Sequence, residues 1–197
     1  MPSVVSPTTS APTRPYAPPI SDNPFNLQLP SFNTNMRPTL NLDQLEVQIH
    51  DGINAQRRQN NLPALSYDSN LAFIARAHSK DMAAKGYFAH DNQEGLDPSA
   101  RAKNSGYNCY KTYAGYYTTG IAENIFQNNL YSSIWYTNGV ISSYDWNSQE
   151  QIAESTVTGW MNSPGHRANI LTSTYDREGI GIAVSSDDKV YITENFC

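Results

Sequence analysis

Three short runs carry the side chains best suited to chemistry. Gly86-Tyr87-Phe88-Ala89-His90-Asp91 sets an imidazole just past a glycine stop. Gly120-Ile121-Ala122-Glu123-Asn124-Ile125 offers a carboxylate beside an amide. Trp160-Met161-Asn162-Ser163-Pro164-Gly165-His166-Arg167-Ala168-Asn169-Ile170-Leu171 brings a second imidazole, with Ser163 and Asn169 close by. Neutral imidazoles plus a carboxylate suit zinc or a similar ion and leave coordination positions for water. A hydrolytic reading uses the same groups, with Ser163 as nucleophile, His166 as base and Glu123 orienting it. Against that, Ser163 lies in a Ser-Pro-Gly turn without a nucleophile-elbow context. Each residue also has a plainer role. His90 can bond the last carbonyls of a helix, His166 can cap a short helix from Ala168 to Leu171, and Glu123 can organise a turn with Asn124. His50 and His78 fall within helical stretches and read as surface or packing residues.

The elements that must position these groups are legible from periodicity. Leu42, Leu45, Ile49 and Ile53 recur at three- and four-residue steps behind Asn41 as cap, with Gln44 at capping-box spacing. A second helix starts at Asp68 or Ser69, runs with Leu71, Ile74, Ala75, His78 and Met82 on one face, and stops at Gly86. Asp97, Pro98 and Gly106 frame a third, short helix. Ser148, with Gln151 at the box position, opens a fourth that ends near Asn162. Asn138-Gly139 predicts a type I′ hairpin within Ile134–Ile141. Gly179–Val184 and Val190–Thr193 alternate as strands and pair as a closing antiparallel hairpin. The class is α+β, with helices covering an antiparallel sheet.

The three runs, in this order, resemble the CAP superfamily (cysteine-rich secretory proteins, antigen 5 and pathogenesis-related proteins), and in particular its bacterial and archaeal members with an SCP-type domain. Asn54 with Arg57-Arg58, Leu62-Pro63-Ala64-Leu65 and Tyr191-Ile192-Thr193-Glu194-Asn195-Phe196 support the likeness, which spans Leu42 to Cys197. The resemblance implies an α–β–α sandwich with one cleft. It also implies that His90, Glu123 and His166 line that cleft and can hold a divalent, zinc-like ion, with Asn124, Ser163 and Asn169 around them. The second glutamate of the family pattern is replaced by Ser163. Glu154 lies nine residues away, on the opposite helix face, and is no substitute.

Only 16% of residues are charged and the formal net charge is −5, with no basic block, which argues against nucleic acid and anionic membrane surfaces as partners. Residues 1–40 hold nine of the twelve prolines and read as a disordered linker ahead of a domain over 41–197. No apolar run is long enough for a spanning helix. The first residues lack a signal-peptide pattern, so an export segment upstream of this sequence is expected, with Met1 not native. Cys109 and Cys197 are expected to form a disulfide, implying an oxidising compartment; the other reading is two free thiols. A secreted or cell-surface, monomeric binding module for a small molecule, lipid or peptide is expected. A hydrolase, metal-dependent or Ser-His-Glu, and a structural surface module with an idle cleft are the alternatives. The cluster Tyr107, Tyr110, Tyr113, Tyr116 and Tyr117 reads either as a carbohydrate or peptide face or as a domain wall.

Overall fold

The computed structural model of the protein describes residues 36–197, so most of the expected proline-rich linker lies outside the described residues. The elements run α1 (Leu42–Gln59), β1 (Ser66–Tyr67), α2 (Ser69–Lys85), α3 (Pro98–Asn104), β2 (Tyr110–Tyr113) and β3 (Tyr116–Thr119). They continue with β4 (Ala122–Asn129), β5 (Tyr131–Thr137), β6 (Val140–Trp146), α4 (Gln149–Asn162), α5 (Pro164–Ile170), β7 (Arg177–Val184) and β8 (Lys189–Phe196). The helix boundaries follow the capping chemistry. Asp68 accepts from Asn70 and Leu71 at the start of α2, and Gly86 ends that helix in the left-handed region at φ 68°. Ser148 and Gln151 form a complete capping box on α4. Asn41 caps α1 through its side chain, but its own N–H goes to Gln149 Oε1 rather than to Gln44. That bond ties the start of α1 to the start of α4.

The central sheet has the order β1-β7-β8-β4, with only the two-residue β1 parallel to its neighbour. Helix α2 covers one face. Gly179 and Gly181 make this possible: a Cβ there would stand 2.1 Å from the Ala72 nitrogen and 2.0 Å from the Arg76 nitrogen, so helix backbone rests directly on β7. The other face builds the main core, in which Ile180, Ile182, Val190, Ile192 and Phe196 meet Leu45, Ile49 and Ile53 of α1 and Ile152, Val157 and Trp160 of α4. This is the α–β–α sandwich. The expected pairing of the closing hairpin is present over Glu178–Val184 and Val190–Phe196. The Asn138-Gly139 turn joins β5 and β6 with φ of 53° and 78°.

Two stretches differ from expectation. Ala122–Asn129 is the strand β4, paired along its whole length with β8, so Glu123 lies within a sheet rather than in a turn. The tyrosine-rich stretch forms a second ribbon, β2–β3, in which Tyr110 stacks on Tyr117 and Tyr113 on Tyr116. Tyr110, Tyr116 and Tyr117 stay exposed, so these three do not wall the core. Cys109 and Cys197 are bonded at a Cα separation of 5.7 Å.

Candidate functional site

Strand β4 carries the centre of the site. Trp160 donates its indole N–H to Ile125 O at 3.1 Å and meets Phe126 edge-on, which docks α4 on β4. The turn at Ser163 then brings α5 back over the strand. Asn169 clamps it there, donating to Asn124 Oδ1 at 2.9 Å and to Glu123 O at 3.2 Å, while Asn124 donates to His166 O at 3.2 Å. His166 is thus held inside α5 rather than capping it. On the other side, Gly86 releases α2 into the loop that carries His90. Asn92 closes that loop by accepting from Leu96 N at 2.8 Å. Asp97 and Pro98 then start α3, which presents Arg101.

These elements converge on Glu123, whose side chain is 1% exposed. Its Oε1 accepts from His90 Nδ1 at 3.0 Å and its Oε2 from Arg101 Nη2 at 2.5 Å. His78 Nε2 stands 3.9 Å from Oε1 and donates to Ala89 O at 2.9 Å. The half-exposed His90 is the open edge of the group. Its hydrogen bond to Glu123 raises its pKa against the opposing effect of burial. His166 is moved the other way, first by burial and then by the nearby His90. The two imidazoles are therefore shifted in opposite directions, His90 up and His166 down.

Of the six residues expected in the cleft, Glu123, Asn124, His166 and Asn169 are joined through β4 and α5, and His90 bonds Glu123 directly. Ser163 ends α4 and makes no side-chain capping bond to α5. Among the described residues no three His, Cys, Asp or Glu side chains are grouped so as to hold a metal. Both oxygens of Glu123 are already engaged, one of them by a cation, so the arrangement does not fit the ion-holding role expected for His90, Glu123 and His166.

Two participants were missed in the sequence. For His78 the packing alternative holds and the surface one does not, but its place in the site was not foreseen: it is buried against Glu123, and burial lowers its pKa. Its place on the apolar face between Ile74 and Met82 was the available signal. Arg101 carried none, because a single arginine in a short polar helix looks like a solvated one. Behind the site Asn195, the cross-strand neighbour of Glu123, is fully buried. Among the described residues, both of its amide atoms, His78 Nδ1 and Arg101 Nε lack hydrogen-bond partners.

The sequence matches the profile described as CAP, the cysteine-rich secretory protein family, over residues 50–196. It is 30% identical over 153 residues to the uncharacterized protein YkwD of Bacillus subtilis, covering 78% of this chain and 48% of that one. The chain thus spans less than half of that relative's length. Among solved structures, an outer surface protein from Borrelia burgdorferi superposes with a TM-score of 0.58 at 15% identity, covering 82% of this chain and 97% of that one. An extracellular SCP-domain protein from Bacillus anthracis superposes with a TM-score of 0.54 at 25% identity, covering 81% of this chain and 44% of that one. The matched profile and the α–β–α sandwich agree: this chain belongs to the CAP family of cysteine-rich secretory proteins and carries an SCP-type domain.

Proposed function

We propose that this domain works outside the cytoplasm as a binding module, taking a small polar molecule, a lipid headgroup or a peptide at the cleft of His90, Glu123 and His166. One observation carries the reading. A half-exposed imidazole leads inward to a buried carboxylate, and beside that carboxylate four buried polar atoms of His78, Arg101 and Asn195 have no partner among the described residues. Unpaired buried polar groups are costly, and a bound guest with donors and acceptors offsets that cost. A hydrolase is the weaker reading, since no hydrogen bond joins Ser163 to His166 among the described residues and neither imidazole activates a hydroxyl.

Isotope-labelled protein titrated with phosphocholine, with short neutral peptides and with a soluble sterol conjugate tests the proposal. At least one probe is expected to shift the amide resonances of His90, Glu123 and His166. His90→Ala and His166→Ala together should weaken that probe by about tenfold, or ~1.4 kcal/mol. Shifts confined to surfaces away from these residues would overturn the assignment.

A further inference from the structure

We propose that Arg101 is the resident cation of this cleft and closes Glu123 to divalent metal. Glu123 lies 1% exposed and Arg101 10% exposed, so their pair is shielded from water. The guanidinium reaches the Oε2 atom of Glu123, and its other arm donates to His90 O at 2.5 Å and Leu96 O at 2.9 Å. One residue therefore neutralises the carboxylate and fixes the loop bearing His90. Two carbonyl acceptors hold the guanidinium in place while it faces the carboxylate, so its planar fork is pre-organised for the task. The remaining oxygen of Glu123 accepts from His90 Nδ1, which consumes the nitrogen of that ring nearest the carboxylate.

A zinc ion would need an oxygen of Glu123 at roughly 2.0–2.2 Å. Gaining one means detaching either His90 or Arg101. Detaching Arg101 leaves a guanidinium buried beside a dication, its carbonyl acceptors still holding it there. That outcome combines like-charge repulsion with the loss of a shielded ion pair. The site already holds one permanent positive charge for its one carboxylate, so it favours neutral polar or anionic guests over metal cations. This inference does not depend on which guest the cleft takes, because it concerns the ion alone.

The test is calorimetric titration of zinc chloride into the full chain and into Arg101→Gln, with circular dichroism to establish folding. The wild type is expected to bind no tighter than about 1 mM at the cleft, and Arg101→Gln to gain at least tenfold, a gain removed by adding His90→Ala. Tight wild-type binding that His90→Ala abolishes would overturn the proposal. So would a folded Arg101→Gln protein with no gain. A crystal of the wild type soaked in zinc decides the matter independently of whether the variant folds. Arg101 still on Glu123, with no ion between the imidazoles, supports the proposal; an ion on Glu123 with the guanidinium displaced refutes it.

Discussion

Glu178 and Glu194 lie on the face of the sheet that meets α1, since Glu194 pairs with Ile180 and Ile180 belongs to the main core. Both are fully buried. His50 Nδ1 donates to Glu178 Oε1 at 2.5 Å while its Nε2 accepts from Asn54 at 3.2 Å, and Asn124 donates to Glu194 Oε2 at 3.0 Å. The two remaining oxygens, Glu178 Oε2 and Glu194 Oε1, have no donor among the described residues. The two carboxyls act on one another, and a proton shared between them would satisfy both oxygens. Burial pushes Glu178 up to about 7, and burial with the neighbouring Glu178 holds Glu194 well above the carboxylate range. Both folded-state values are raised, so the pair's contribution is complete below the unfolded value of 4.5 and is lost as pH rises through about 7. His50 is lowered by burial, so its contribution is present above 6.5 and lost as pH falls through its folded value. The pair's contribution is therefore expected to fall across pH 4.5 to about 7, offset below 6.5 by the opposing gain from His50. Glu194→Gln keeps the bond from Asn124 and gives Glu178 a permanent donor. It is expected to raise Tm at pH 8 by about 3 °C or more and to change little at pH 5. Thermal melts at the two pH values check this, and a wild-type Tm that is flat across the range would contradict it.

The contact between α2 and β7 is the tightest junction between elements. At Gly181 an added Cβ would stand 2.0 Å from the Arg76 nitrogen and 2.3 Å from the Ala75 carbonyl carbon. Both are helix backbone and cannot rotate away. Gly181→Ala must therefore lift α2 from the sheet, at an expected cost of about 3 kcal/mol. The same helix holds His78 against Glu123, and Ser79 of that helix bonds Gly181 O and Thr193, both at 2.8 Å. Denaturant unfolding should show the loss in the midpoint, and the amide resonances of the His90 loop should shift with it. Gly165, by contrast, meets nothing within 4 Å and is not in the left-handed region, so Gly165→Ala is expected to be tolerated. Equal effects at the two positions would show that the helix does not rest on the sheet in the way described.

Across the whole molecule, the disulfide joins chain segments 88 residues apart. Cys197 is also held by backbone: it donates to Arg177 O at 3.0 Å and accepts from Asp176 N at 3.0 Å. What the bond mainly secures is therefore the start of the β2–β3 ribbon, which has little buried apolar surface of its own. The chain-entropy model gives about 4–5 kcal/mol for a loop of this length, and roughly 2–4 kcal/mol is expected in practice. Reduction, or Cys109→Ser with Cys197→Ser, should lower Tm by about 5–10 °C. Hydrogen exchange should rise first in Tyr110–Thr119, with β4, β7 and β8 retaining protection. Uniform loss of protection would instead make the bond a determinant of the entire domain.

Local chemistry was written in the sequence. Caps, glycine stops and apolar spacing marked α1 to α4, and Asn138-Gly139 marked the β5–β6 turn, because each depends on a few neighbouring residues. The family resemblance pointed to His90, Glu123 and His166 for the same reason: the runs that carry it are short and contiguous. Their partners depend on distances between segments far apart in the chain. Folding alone put Arg101 on Glu123, turned His78 inward, paired Glu178 with Glu194 and made Gly179 and Gly181 a helix seat rather than ordinary strand residues. Side-chain type and spacing encode a helix face or a turn. Which charge neutralises a buried carboxylate is set only when four separate segments close around it.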